Sequence, residues 1–337
     1  MRSLVLGGST FVGRRLVNRL VERGDEVAVL NRGKTPSSLP PQVHRLVADR
    51  TDATAMRAAL EGTEWDATFD VSGFVMVAGG SPIQELLELF DGRTGAYVFV
   101  SSIMAYEPTP FMPWTEDQPV TADPPTSYGG FKAFAEAAVR AQFEKTGFAA
   151  SVARPAAIYG PDNNIVDMET AMFLRLRRGL PILVPHGGLI TVSYGHVDDL
   201  CAQLVAMADS PQAVAGEVLN TTGRAITTAG YVEELAKIVG AEPDVRLVPD
   251  EALPMLKEKI DAPLWGHLFN ARHHGVLSLE KANNLGLPQE RGFRVGHQET
   301  YEWFQSSSLV DGPDQLADPV WGAGYDFGAE ARAVELL

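Results

Sequence analysis

A short apolar run, Leu4-Val5-Leu6, passes directly into Gly7-Gly8-Ser9-Thr10-Phe11-Val12-Gly13, and this junction restricts the fold more than any other part of the chain. The run reads as a buried parallel strand, and the glycines permit a tight turn. Phe11 to Arg23 then has the apolar spacing of an amphipathic helix, which Gly24 would stop. A strand, a glycine turn and a helix in that order present free backbone N–H groups at a helix N-terminus, where a pyrophosphate binds well. A glycine turn by itself is often only structural. Its position at the head of the chain, before a second strand at Glu26 to Leu30, favours dinucleotide binding.

Strand and helix signals alternate beyond that point. Largely apolar runs at 3–6, 26–30, 43–47, 67–71, 96–100 and 149–153 are mostly separated by enough chain for crossover helices. The expected fold is α/β: a Rossmann-type, doubly wound parallel sheet. The rhythm breaks after Tyr159-Gly160-Pro161, where a helix at roughly 166–178 and a Pro/Gly-rich stretch from Pro181 to Gly188 follow. A smaller, partly interleaved substrate domain is therefore expected. The dinucleotide-binding domain takes 1–162 plus roughly 192–222. The substrate domain and tail take roughly 163–191 and 223–337. The tail from Ser306 onward holds Trp321, Tyr325 and Phe327 and is expected to pack back onto the body.

Composition excludes several classes. The single cysteine, Cys201, allows neither a disulfide framework nor a thiolate metal site. No charged leader followed by a long apolar stretch is seen, and no transmembrane run, so a cytoplasmic location is expected. The net charge of −15 repels nucleic acid at long range. The first 50 residues run against it, with nine Lys/Arg and four Asp/Glu. A basic patch around the glycine turn suits a phosphate-bearing cofactor, although a solvated face carrying Arg14, Arg15, Arg19 and Arg23 explains part of it. No metal is expected: His273 and His274 are adjacent, His186 has no partner at ligand spacing, and His196 reads as strand-end packing. Asp198 and Asp199 read as acids at a helix N-terminus.

Chemistry concentrates at Tyr128-Gly129-Gly130-Phe131-Lys132, with Ser101-Ser102 upstream. A tyrosine and a lysine four residues apart share one helix face. A free phenol titrates near ~10, too high for a general base at neutral pH. A nearby ammonium favours the phenolate, and a serine hydroxyl can hold a substrate oxygen beside it.

Taken in order, Gly7 to Gly13, Asp49-Arg50, Val98 to Ser102, Tyr128 to Lys132, Arg154 to Pro161, His196-Val197-Asp198-Asp199 and Glu299 to Trp303 resemble the extended short-chain dehydrogenase/reductases, the NAD-dependent epimerase/dehydratase family. The resemblance covers nearly the whole chain. It implies that Tyr128 is the catalytic acid/base and that Lys132 lowers its pKa and holds the nicotinamide ribose. It implies that Ser102 binds the substrate oxygen, since it stands four residues before Tyr106; Ser101 reads as a small residue at a crowded strand end. The implied cofactor bed is Gly7, Ser9, Thr10, Phe11, Val12 and Gly13 for the phosphates, Asp49 with Arg50 on the adenine side, Ser72 and Gly73 beside the cofactor, and Pro155 with Ile158 flanking the nicotinamide. A turn or helix-start role for Asp49 is the competing reading. The resemblance also implies a homodimer through the helix that carries Tyr128 and Lys132, where Ala133 to Ala141 supply small residues.

Departures from the family pattern narrow the reading. Thr10 replaces the middle glycine, disfavouring φ > 0 and adding bulk near the pyrophosphate. This form of the turn, followed by Asn31-Arg32-Gly33-Lys34, is similar to an atypical branch that includes chloroplast RNA-binding proteins. At the end of the second strand Asn31, Arg32 and Lys34 replace the acid expected for NAD, so NADP is preferred over NAD. Ile103 and Met104 stand where sugar-nucleotide 4,6-dehydratases need an acidic pair, and Val192 where a diphosphate-binding arginine is usual. The expected function is oxidoreduction or epimerisation at a secondary alcohol or ketone carbon of a small molecule or sugar derivative. The rival is a non-catalytic nucleotide-sensing or RNA-associated scaffold of the same fold.

Overall fold

Alternate residues of the first strand enter opposite layers, and this places the core. The computed structural model describes residues 1–35, 38–72, 83–317 and 324–337. The chain divides into two units. The first comprises Met1–Ile158, Val197–Gly223 and Leu277–Glu290. Its leading elements are β1 (Arg2–Leu6), α1 (Phe11–Arg23), β2 (Glu26–Asn31), β3 (His44–Val47), α2 (Ala53–Ala59), β4 (Trp65–Asp70), α3 (Ile83–Phe90), β5 (Thr94–Val100), α4 (Tyr128–Thr146) and β6 (Ala150–Pro155). With the later strand Val218–Thr221 they build a seven-stranded sheet ordered Val218–Thr221, β6, β5, β4, β1, β2, β3. Every pairing in it is parallel. Val5 and Val29 face a layer formed by Leu16, Leu20, Leu200 and Leu204, while Leu4 and Leu6 face Leu86, Phe90, Phe131 and Val139. That two-residue period puts α1 and the helix Val197–Asp209 on one face and α3 and α4 on the other. The strand order reverses between β1 and β4. In such sheets the crevice at the carboxyl ends of the strands is where ligands bind.

The boundaries differ from the sequence expectation: the first stretch ends at Ile158 rather than 162, and the strand Thr191–His196, most of it expected in the first domain, lies in the second unit. Leu277–Glu290 belongs to the first unit rather than to a substrate domain running from 223 to the end. Ala282 and Leu287 are buried in the same core as β1, and the Ser278 N–H donates to the Trp114 carbonyl at 2.8 Å. Its apolar spacing alone could not show which core receives it.

The second unit comprises Tyr159–His196, Arg224–Val276 and Arg291–Leu337. In it Thr191–His196 pairs antiparallel with Arg224–Thr227, and Pro181–Val184 pairs parallel with Asp244–Leu247. The helix expected at 166–178 spans Glu169–Arg178 and stops at Gly179. Its interior is organised by His297, stacked on Tyr159 at 3.7 Å and 2.6 Å from the Tyr231 hydroxyl. Burial depresses the His297 imidazole to about 3, so it is a neutral packing group. The tail closes on the same unit: Tyr325 and Phe327 are buried and Glu330 pairs with Arg175, Nε to Oε2 at 2.8 Å. Trp321 lies outside the described residues. No helix among the described residues is long and apolar enough to cross a membrane.

Removing one partner of a buried ion pair strands the other charge in the interior. Replacing Glu330 by alanine should therefore cost about 3–5 kcal/mol in a denaturant titration. A loss below ~1 kcal/mol would show that the tail does not close this unit.

Candidate active site

The glycine turn after β1 is shaped by contact. Gly7 adopts φ 94°, a left-handed conformation, and packs against Ser72. A Cβ on Gly13 would run into the Gly7 carbonyl oxygen, so the start of α1 can lie against the turn only with glycine there. The concern over Thr10 resolves differently from expectation. Thr10 is extended, at φ −137° and ψ 157°, and the left-handed position falls on Phe11 at φ 36°. A bulky residue is costly there, and the buried Phe11 ring holds it in place. The first turn of α1 carries no acidic residue, and the Thr10 side chain does not cap it. Backbone N–H groups at this end suit a phosphate, so the residues present fit a dinucleotide.

At the end of β2 the Asn31 amide donates to the Ser9 hydroxyl at 2.8 Å and its oxygen accepts the Gly33 N–H at 2.7 Å. Arg32 and Lys34 are exposed, and their charges help hold the Asp49 carboxyl below its usual range. The larger cause is local, because Asp49 accepts from the backbone and hydroxyl of Thr51. Asp49 thus stands beside the two cations while shaping its own turn. Arg50 turns inward. Its guanidinium grips Asp70 at 2.6 and 2.8 Å and reaches the Ser72 hydroxyl at 2.7 Å. Ser72 is thereby fixed beside Gly7; Gly73 lies outside the described residues. Val12 packs on the core beneath α1, as does Ile158, while Pro155 is buried at the end of β6.

Ser102, Tyr128 and Lys132 come together at the head of β5. Ser127 caps α4 by accepting the Gly130 N–H at 3.0 Å, which makes Tyr128 the first helical residue. A Cβ on Gly129 would collide with the Met104 carbonyl, and one on Gly130 with the carbonyls of Asp123 and Pro124. The two glycines therefore let the chain after β5 lie directly on α4. Within that chain Ser102 accepts the Met104 N–H at 3.1 Å and hydrogen-bonds the Tyr128 phenol. Burial raises the Tyr128 pKa, and the Ser102 bond opposes that rise. Lys132 is 3% exposed, and its ammonium donates to the Val100 carbonyl at 2.7 Å. It lies 5.5 Å from the centre of the Tyr128 ring. Burial lowers its pKa to about 8, with Arg50 adding to the fall and Asp70 and Glu136 opposing it. A phenol, a hydroxyl and an ammonium titrating near neutrality are the parts for moving a proton at an oxygen atom.

Sequence reasoning assigned no role to the residues behind these three. Ser101 is not merely small, since its hydroxyl donates to Glu136, which also pairs with Arg154, Nε to Oε1 at 3.0 Å. The Arg154 guanidinium stacks 4.1 Å from the Tyr106 ring centre, and the Tyr106 hydroxyl donates to Asn220 at 2.8 Å. Asp70 accepts from Tyr97 as well as Arg50. The spacing of Tyr128, Lys132 and Glu136 along one helix face was the available signal for Glu136.

The sequence model of the NAD dependent epimerase/dehydratase family matches residues 3–221. Among curated proteins, the chain is 28% identical over 315 residues to the chloroplast stem-loop binding protein of 41 kDa b of Arabidopsis thaliana, covering 88% of this chain and 78% of that one. It is 25% identical over 332 residues to the ceramide reductase of Caulobacter vibrioides, covering 91% of this chain and 95% of that one. Among solved structures, dTDP-glucose 4,6-dehydratase from Bacillus anthracis, in complex with NAD, matches with TM-score 0.73 at 18% identity, covering 91% and 97% of the two chains. At that identity the likeness speaks for the fold.

Two expectations follow from the geometry. Gly129→Ala should cost about 1–3 kcal/mol by denaturant unfolding, because the Met104 backbone must move. A change within ~0.5 kcal/mol would show that the segment yields freely. For Lys132, a folded pKa of about 8 lies below the ordinary 10.5. The unfolded chain then binds more protons between those values, so the Lys132 contribution to stability rises with pH across them. The stability of the wild type relative to Lys132→Met should grow by roughly 3 kcal/mol from pH 8 to 10.5. A flat difference would place the ammonium in solvent.

Proposed function

The chain belongs to the NAD dependent epimerase/dehydratase family, and we propose that it is an NADP-preferring reductase or epimerase acting at a secondary alcohol or ketone carbon. The observation that carries this reading is the hydrogen bond from Ser102 to a half-buried Tyr128 beside the Lys132 ammonium. A nicotinamide bound in this fold supplies or accepts hydride. The chain's own residues handle the proton. Ser102 polarises the substrate oxygen, and Tyr128 gives its phenolic proton to that oxygen in reduction and takes it back in oxidation. Lys132 stabilises the phenolate that results.

The cofactor preference rests on Arg32 and Lys34, which are exposed at the end of β2 and suited to a 2′-phosphate. The phosphates would lie on the backbone between Gly7 and Gly13. Ser72 would bound the groove beside Gly7, and Pro155 and Ile158 the nicotinamide side.

The substrate we favour is a neutral, largely apolar carbonyl compound rather than a sugar nucleotide. From Thr94 to Phe131, the stretch that delivers Ser102 and Tyr128, there is no Lys or Arg to meet a diphosphate. The same stretch exposes Met104, Phe111 and Met112. The 25% identity to a protein named ceramide reductase, over nearly its full length, agrees with that preference.

Cofactor titration and one variant test the reading. NADPH should bind more tightly than NADH by tenfold or more, about 1.4 kcal/mol. Tyr128→Phe should remove at least ~100-fold of turnover on a ketone panel while leaving NADPH affinity within threefold. Retained turnover in Tyr128→Phe would assign the proton to another group. A chain that binds neither nucleotide, yet holds RNA at physiological salt, would favour the scaffold reading.

A further inference from the structure

Five buried charges lie in the first unit behind Tyr128, and the proton-transfer reading uses one of them. Asp70, Lys132, Glu136 and Arg154 are all at most 4% exposed, and the Arg50 side chain is 9% exposed. They form two ion pairs and a lone ammonium. Arg50 and Asp70 clamp the chain after β3 to the end of β4, with Tyr97 of β5 donating to the same carboxylate at 2.9 Å. Glu136 and Arg154 clamp α4 to β6, with Ser101 at the head of β5 as a third partner. The groups that face Lys132 are Asp70 from β4, Arg50 from the chain after β3, Tyr128 and Glu136 from its own helix, and the Val100 carbonyl and Phe99 ring from β5.

Each clamp has a second use. Glu136 stands one helical turn after Lys132 on α4, and Asp70 pairs in register with Phe99, whose ring centre is 5.1 Å from the Lys132 ammonium. Both acids favour its charged form, while burial and Arg50 oppose it. We propose that Asp70 and Glu136 are positioning residues of the site, two acids that hold the Lys132 ammonium at the head of β5 beside Tyr128. Ser101 extends the device, since its bond to Glu136 fixes the residue next to Ser102. The charge count has a consequence. Among these five groups three cations stand against two carboxylates, with the partly exposed Asp49 also acting on Arg50, and a phenolate on Tyr128 would add a further compensating anion. Losing either acid enlarges the excess of positive charge, which expels the Lys132 proton first, because an arginine cannot release its own.

The inference rests on Tyr128 and Lys132 being the proton-transfer pair, and the test separates the two claims. Full-length protein carrying ε-13C lysine would be titrated by NMR, with the Lys132 signal assigned by its loss in Lys132→Met. The wild-type midpoint should fall near the expected value of about 8. In Glu136→Gln it should fall by at least ~0.5 pH unit, and kcat should drop roughly tenfold with NADPH affinity within threefold. A folded Glu136→Gln protein with an unchanged midpoint overturns the proposal, whatever its kcat. If Glu136→Gln does not fold, the double variant Glu136→Gln/Arg154→Met removes the pair as a unit. That variant loses one charge of each sign, but Glu136 is the member of the pair that acts on Lys132. The midpoint should still fall, by less than in the single variant, and an unmoved midpoint there overturns the proposal equally. Absence of turnover in the wild type would defeat the catalytic reading. The NMR midpoint would still decide whether the acids hold the ammonium.

Discussion

The Met104 carbonyl rests against Gly129 with no room for a methyl group between them, and the geometry of the site follows from that approach. Only with the chain after β5 lying this close can Ser102 reach the first residue of α4. Only then is Tyr128 covered well enough for its environment, rather than bulk water, to set its protonation. A side chain at position 129 would separate the hydroxyl from the phenol even if neither residue changed. The geometry of this candidate site is a packing property before it is a chemical one.

Close packing removes water, and removing water from an ammonium is costly. The molecule offsets this by pairing. Each of the two arginines behind Tyr128 faces a carboxylate through paired hydrogen bonds; one pair ties the chain after β3 to β4 and the other ties β6 to α4. Such pairs are a weak source of net stability, because desolvation nearly cancels their attraction. Their value is directional. They allow few arrangements of β4, β5, β6 and α4, and they leave Lys132 short of full compensation, with its pKa near neutrality.

The parts of this structure legible in the sequence were local ones. Strand periodicity, the glycine turn and the Gly24 stop depend on residues within a few positions of each other. The position of Ser102 relative to Tyr128 was legible through a motif that encodes a three-dimensional arrangement at fixed spacing. What was hidden depends on partners far along the chain. Nothing near Asp70 announces Arg50, twenty residues away, and nothing near Ser101 announces Glu136. Within the glycine turn the positive φ falls on Phe11 rather than Thr10, a shift of one position that residue type alone does not encode. Leu277–Glu290 was misplaced because apolar spacing shows that a segment is buried without showing where.

The first unit is drawn from three separate stretches of chain, and this sets an order in time. During synthesis β1 to β6 are available early, yet the edge strand Val218–Thr221 and the segment Leu277–Glu290 that anchors beside it emerge much later. Until then β6 is an unpaired sheet edge, and the apolar surface that receives Ala282 and Leu287 stays uncovered. Exposed edges and long loop closures slow folding and invite association with other chains. The growing chain must therefore carry a nearly assembled nucleotide fold through an interval in which its last strand is still on the ribosome.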